Sequence, residues 1–446
     1  MTTPAAMSIE SDVLKRVKPS ESEVAEIKKK AYSLEILVKD YILTHGIDAE
    51  TKYVGSVAKG TFLTGPDLDL FILYPEGKPK KEMEAEVIKM GEELINGKKS
   101  YADHPYSSGN FEGLDVDLVP CYHISDTLKL LTPVDRSPFH AEYILSKVDE
   151  KMCDEIRLMK QFMKGVGTYG AEPDTRGFSG YLCELITIHY GGFLDALIAA
   201  SEWKDGTTIT MEKKGPLMKA PLVVYDPVDP KRNVASAVHI ETFAEFIVAC
   251  RSYLNSPKIE YFFPNKRKPF KREDIERLVN AHGTRLITVT FDDPMINNDN
   301  LHSQIWKTQY ALVKKLDSFS FNTLRAVHEI IDGKVTFIFE LERDVLSKTC
   351  KRIGPPVWSK SCEPFFLKWK DNPYGRPFIE EGRWTVIGER LHCTASEMLY
   401  EEAAISGIGK DLEPDTMVIF DHDETLESSD AILLTELLYP QHRWEN

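Results

Sequence analysis

Cysteine is scarce in this chain and never arranged for a staple. The seven residues Cys121, Cys153, Cys183, Cys250, Cys350, Cys362 and Cys393 are scattered, odd in number and without a Cys-X-X-Cys pair. That argues against a structural zinc site and for a reducing cytoplasm. No apolar run approaches the roughly 18 residues of a bilayer span, so no membrane partner is expected. The N-terminal residues, with Glu10, Asp12, Lys15 and Lys18, lack the apolar core of a signal peptide. There is no P-loop lysine signature, which argues against a Walker-type NTPase, and no internal repeat or low-complexity tract. Positive charge is in deficit: 55 Lys and Arg against 70 Asp and Glu give a net charge of −15. This counts against nucleic-acid binding at first sight, although such affinity follows local patches rather than the total.

What is present is ordinary globular composition, 42% hydrophobic and 28% charged over 446 residues, long enough for roughly two to four domains. One stretch stands out, Gly55-Ser56-Val57-Ala58-Lys59-Gly60-Thr61 followed by Pro66-Asp67-Leu68-Asp69-Leu70. It reads as a Gly-Ser turn leading into a short strand. Asp67 and Asp69, two apart, leave the same face, while Leu68, Leu70, Ile72 and Tyr74 form a burial face. Paired carboxylates repel and call for a cation, and the turn can aim backbone N–H groups at phosphate. A solvated strand edge would read the same way. The pattern recurs, however, at Gly113-Leu114-Asp115-Val116-Asp117-Leu118. Two such strands could converge three or four carboxylates on a metal pair, as in-line displacement at phosphorus requires.

Gly55-Ser56, Asp67/Asp69 and Asp117 resemble the signature of the nucleotidyltransferase superfamily that includes polymerase beta. His104-Pro105-Tyr106, Val119-Pro120-Cys121-Tyr122, Val134-Asp135-Arg136-Ser137-Pro138-Phe139-His140, Arg176 to Glu184, Asp226-Pro227-Val228-Asp229 and Lys231 to Ala235 further resemble the archaeal (class I) CCA-adding enzymes. The likeness is strong from Val54 to Ala235 and weaker to near Glu401. It implies an α+β protein: a polymerase-beta-like catalytic head over 1–140, a helical central domain for base selection over 141–262, and an α+β RNA-binding C-terminal part over 263–446. The implied reaction is untemplated addition and repair of the 3′-terminal CCA of tRNA from CTP and ATP, with release of pyrophosphate. Family behaviour alone adds tandem CCACCA tagging of unstable tRNA. A homodimer is one expectation for assembly.

The resemblance makes Asp67, Asp69 and Asp117 ligands of two Mg²⁺ ions. Periodicity cannot choose Asp117 over Asp115; the resemblance does. Many relatives carry Glu at the position of Asp67 and Arg at that of Lys59, so this chain has a shorter arm and a point charge in place of a fork. Ser56 and Lys59 would hold triphosphate oxygens. His140, Lys160 and Tyr169 would bind the incoming CTP or ATP, the lysine on phosphates and the tyrosine near the sugar, and Arg232 would read the base edge. Their plain alternatives are a capped turn for His140, a solvated helix face for Lys160, a half-buried ring for Tyr169 and an ion pair with Asp229 for Arg232. Lys266, Arg267 and Lys268, with Lys271, Arg272 and Arg277, form a basic patch for the acceptor-stem and T-arm side of tRNA. A solvated helix start is the alternative, since Glu273, Asp274 and Glu276 follow. Two other functions remain open: a poly(A) polymerase or oligoadenylate synthetase using the same head, and a non-catalytic RNA-binding protein with a dead transferase domain.

Along the chain, Met1–Pro19 reads as a loose leader. Ser20 with Glu23 forms a capping box for a helix to about Leu43. Helices are expected with Met83, Val87, Met90 and Leu94 on one face, from Ile156 to a break at Gly165 and Gly167, from Gly177 to Leu194, and over Phe243–Tyr253. Asp205–Ala220 reads as a hairpin-like excursion. The last third has a β–α–β–β rhythm, with Asp332-Gly333 as a hairpin turn and Phe337 and Phe339 as core. Met417–Thr425 imitates a phosphatase nucleophile motif but reads as an acidic surface tail. Phe178-Ser179-Gly180 lacks the closing glycine of a nucleophile elbow and reads as a helix start.

Overall fold

The computed structural model describes residues 4–101 and 105–446; His104 of the His104-Pro105-Tyr106 motif lies outside them. The chain divides into two compact units, 1–265 with 442–446, and 266–441.

The first unit opens with helix α1 (Pro4–Val17) where a loose leader was expected. Val13 and Val17 are buried against the central helices, and Lys18 bonds Asp154 at 2.8 Å. Helix α2 (Glu21–Thr44) begins at the Ser20–Glu23 capping box. Then come β1 (Glu50–Tyr53), α3 (Gly55–Lys59), β2 (Leu68–Tyr74), α4 (Lys80–Ile95), β3 (Lys98–Tyr101), β4 (Pro105–Phe111) and β5 (Leu114–Tyr122). The Gly-Ser turn is thus a short helix, and the β3–β4 pair escaped the sequence reading because its small polar residues carry no alternation. The five strands order as β1-β2-β5-β4-β3. Helices α2 and α4 cover the face bearing Leu68, Leu70, Ile72, Tyr74, Val116 and Leu118. The other face is apolar only toward the strand ends, where Phe71 and Leu73 meet Val54, Cys121 and Ala141. Its opposite end carries the carboxylates.

Helices α5 (Ser137–Leu145), α6 (Glu150–Val166), α7 (Gly180–Tyr190) and α8 (Phe193–Ser201) follow, then β6 (Thr207–Thr210), β7 (Leu222–Tyr225) and α9 (Ile240–Asn255). Three expectations change here. The Gly177–Leu194 helix is two, broken at Gly191-Gly192. The Asp205–Ala220 excursion is no hairpin, because β6 and β7 pair in parallel. Gly165 does not break α6 but lets it approach its neighbour: a Cβ there would lie 2.1 Å from the Tyr261 carbonyl oxygen. Residues 442–446 rejoin this unit, with Trp444 stacked on Tyr261 at 5.4 Å.

In the second unit, α10 (Arg272–His282), β8 (Arg285–Asp292), α11 (Asn298–Ser318), β9 (Thr323–Ile331) and β10 (Lys334–Leu341) precede β11 (Thr349–Pro356), α12 (Cys362–Trp369), β12 (Phe378–Glu380), β13 (Arg383–Glu389), α13 (Ala395–Glu402), β14 (Val418–Phe420), α14 (His422–Ser428) and α15 (Ala431–Leu438). The main sheet orders as β14-β8-β10-β9, and β11-β13-β12 form a smaller one. Asp332 and Gly333 both take positive φ, 50° and 72°, as a two-residue hairpin turn demands. Phe337 and Phe339 are fully buried. The expected acidic tail is instead edge strand β14 on β8, with Asp421 capping α14. No single helix among the described residues is long and apolar enough to cross a membrane.

Gly165→Ala should destabilise the protein by about 1–3 kcal/mol despite alanine's better helix propensity. A urea midpoint equal to the parent's would show that the Tyr261 segment yields freely.

Candidate active site

Strands β2 and β5 run parallel with Asp69 directly beside Asp117. Leu68 beside Val116 is the next rung, so Asp67, one residue before β2, falls toward Asp115. Asp67 is exposed, while Asp69 and Asp117 are half-buried. Burial first, then the charges of Asp117 and Asp67, push the Asp69 carboxyl up to about 6, against the pull of Lys59. Asp117 is raised as well, chiefly by burial, and Asp67, though its side chain reaches solvent, by the partial desolvation its neighbours impose and then by the Asp115 charge. Asp115 is exposed and accepts from Asn110 at 3.2 Å.

Glycine at position 55 is a steric requirement. Its φ is +68°, and a Cβ would lie 1.8 Å from Asp69 Oδ2. The carboxylate therefore rests directly on the first turn of α3, which also carries Ser56, half-buried, and Lys59.

The cations of the site are partly committed. Glu184, on α7 and fully buried, takes Lys59 at 2.5 Å on one oxygen and Lys160 at 2.9 Å on the other, with Thr61 donating at 2.6 Å. Burial would raise the Glu184 carboxyl, yet Lys160, Lys59 and these hydrogen bonds hold it well below its usual range. Lys160 also donates to the Thr61 carbonyl and hydroxyl at 3.2 and 3.1 Å. It is buried, not on a solvated helix face. The sequence reading quoted Glu184 only as part of a motif and gave it no role; no spacing rule signals a long-range triad of this kind. One turn along α6, exposed Lys164 lies over the Tyr169 ring at 5.2 Å and faces Asp67. It too was passed over, since its charge is unremarkable until the fold places it.

A second buried acid organises the other wall. Asp226 accepts from His140 Nε2 at 2.8 Å and from Arg232 at 3.0 Å, and its second oxygen accepts from the Val228 N–H at 3.0 Å. Burial lowers the His140 pKa, opposed by Asp226, and the ring stacks on Tyr181 at 4.0 Å. The plain alternative for Arg232, an ion pair with Asp229, is not what forms: Asp229 pairs with Arg136 at 3.0 Å. Tyr169 sits with its hydroxyl toward Gly180, at the start of α7, and its own hydroxyl pKa is raised by burial. Ser179 caps α7 through the Leu182 N–H, as a helix start should.

In the second unit the basic patch is thinner than its sequence. Arg267 turns inward onto the Tyr439 carbonyl, Arg272 pairs with Glu276 and Arg277 with Asp274. Lys266, Lys268 and Lys271 stay exposed.

Carboxylates on adjacent parallel strands, resting on a Gly-Ser helix start and faced by a helical wall of lysines, define a nucleotidyltransferase. Residues 34–144 match the nucleotidyltransferase domain, 154–263 the second domain of tRNA nucleotidyltransferase and 282–418 the C-terminal domain of CCA-adding enzyme. The CCA-adding enzyme of Methanoregula boonei is 37% identical over 80% of this chain and 79% of its own. Those of Methanothermobacter thermautotrophicus, 37% identical over 87% of each chain, and Methanosarcina mazei, 36% over 89% of each, match likewise. Among solved structures, CdnC of E. coli MS115-1 with ATP aligns at 18% identity and a TM-score of 0.45, covering 57% of this chain and 94% of that one. The chain belongs to the CCA-adding enzyme family.

Two outcomes follow from the buried charges. The folded Asp69 carboxyl keeps its proton to about pH 6, whereas an unfolded one releases it near about pH 4. The fold therefore loses stability as pH rises through that window and stays lower above it. In chelator, Asp69→Asn should be more stable than the parent by roughly 1–3 kcal/mol at pH 7.5, with the gain vanishing near pH 4. A pH-independent difference would contradict the assignment. Glu184→Gln should cost about 3–5 kcal/mol, because two buried ammonium groups lose their shared counter-charge; an unchanged urea midpoint would refute it.

Proposed function

We propose that this protein adds and repairs the 3′-terminal CCA of tRNA, transferring C, C and then A from CTP and ATP with release of pyrophosphate. The observation that carries the reading is Asp69 beside Asp117 on parallel strands, in a chain whose relatives over most of its length are CCA-adding enzymes.

The donor set fits hard divalent cations, which favour oxygen ligands and share them with substrate phosphates. Asp67, Asp69 and Asp117 would hold two Mg²⁺ ions, with Gly55 leaving the space in which the Asp69 oxygen sits. Bound there, the cations lower the pKa of the attacking 3′-hydroxyl and neutralise the triphosphate. Ser56, on the first turn of α3, would hold phosphate oxygens. Lys59 and Lys160 act as a pair fixed by Glu184, so their charge is pre-set and needs no reorganisation when substrate arrives. Exposed Lys164 adds an ammonium group on the Asp67 side. His140 and Arg232 are oriented by Asp226 at the nucleotide, with Tyr169 at the sugar. We assign catalysis to residues 1–140, base selection to 141–262 and tRNA binding to 263–446, where Lys266 and Lys268, together with Lys271, are exposed lysines of the patch and Arg267 supports its backbone.

Incubated with tRNA ending at the discriminator nucleotide, the protein should add two nucleotides from CTP alone and a third only when ATP is also supplied. Asp69→Ala should abolish extension while tRNA affinity is retained. Extension by ATP alone into long tails would indicate a poly(A) polymerase, and retained incorporation by Asp69→Ala would remove the metal assignment.

A further inference from the structure

We propose that His392, Glu397 and Glu401, in the 266–441 unit, form a binding site for a divalent transition-metal cation, zinc foremost. Cysteine counting argued against structural zinc, but this donor set contains no thiolate. Glu397 and Glu401 lie four residues apart on α13 and so share a face, and His392 precedes the helix by three residues. One ligand atom from each of the three lies within 4.8 Å of the other two.

The histidine supplies the independent observation. Its side chain is 1% exposed, and its Nδ1 is buried without a hydrogen-bond partner. The nearest carboxylate oxygen, Glu401 Oε2, is 3.8 Å away, too far for a hydrogen bond. A buried ring nitrogen left in this way needs an explanation. The other nitrogen, Nε2, lies 3.4 Å from the Glu402 carboxylate, which Lys315 holds at 2.6 Å. A carboxylate behind the ring fixes the tautomer in which Nδ1 presents its lone pair, the usual support of a metal-bound histidine. Glu397 is tethered as well, accepting from the Cys393 N–H at 3.2 Å.

Zinc bonds of about 2.0–2.2 Å would bring tetrahedral ligand atoms to roughly 3.3 Å from one another. The two glutamates are exposed and can close that gap by rotation, while the buried imidazole stays fixed. One nitrogen and two carboxylates with a position left for water suit zinc; hard Mg²⁺ prefers oxygen ligands and has little use for an imidazole.

The test uses the full chain, stripped by chelator and held in saturating Mg²⁺ so that the catalytic carboxylates are occupied. Zinc chloride is titrated by calorimetry into the parent and into Glu397→Gln/Glu401→Gln, whose exposed positions spare the fold. We expect one equivalent bound by the parent and at least about tenfold weaker binding by the variant. Cobalt(II) should give the parent a visible band that the variant lacks. No uptake by the parent, or a change in affinity below tenfold, would overturn the proposal.

Discussion

The parallel pairing of β2 with β5 is the constraint on which the site depends. It sets Asp69 against Asp117 and Leu70 against Leu118 in the same register, so one alignment both buries the apolar face and gathers the acids. A slip by one residue would send the carboxylates into the α2/α4 core. The cost of burying this acid, and then of setting it beside Asp117 and Asp67, is visible in the raised Asp69 carboxyl. The buried leucines, isoleucine and valine beneath it supply the burial that keeps the register fixed.

Around that pair the unit separates two kinds of charge. Acids at the strand ends are crowded and under-compensated, whereas Glu184 and Asp226 are fully buried and saturated with donors. The first kind is suited to taking up cations. The second kind fixes the positions of Lys59, Lys160, His140 and Arg232. Because Lys59 and Lys160 are bonded to Glu184, and His140 and Arg232 to Asp226, these cations are held by acids other than the strand carboxylates.

Much of this was legible in residue order. Alternation located β2 and β5, the capping box located α2, and Asp332-Gly333 located a hairpin, because each is a local signal. The Asp67, Asp69 and Asp117 positions came from spacing together with a family likeness. What stayed hidden was non-local. Glu184 joins residues 24 and 125 positions away, Arg232 pairs with Asp226, and Lys160 is buried. Helix α1 was misread because its polar residues mask Val13 and Val17, whose burial depends on a partner more than a hundred residues on. Strand β14 was misread because an edge strand of three residues carries too little pattern to separate from a tail.

The register also distinguishes two acids that periodicity treats alike. Asp117 lies beside Asp69, while Asp115 is exposed and bonded to Asn110. Single-turnover extension of tRNA by Asp117→Asn and Asp115→Asn therefore tests the central claim most directly. We expect Asp117→Asn to lose at least about 10²-fold in rate, a loss typical of removing one preorganised charge from a transition state, and Asp115→Asn to stay within about threefold of the parent. The reverse order of effects would contradict the placement of the catalytic metal site.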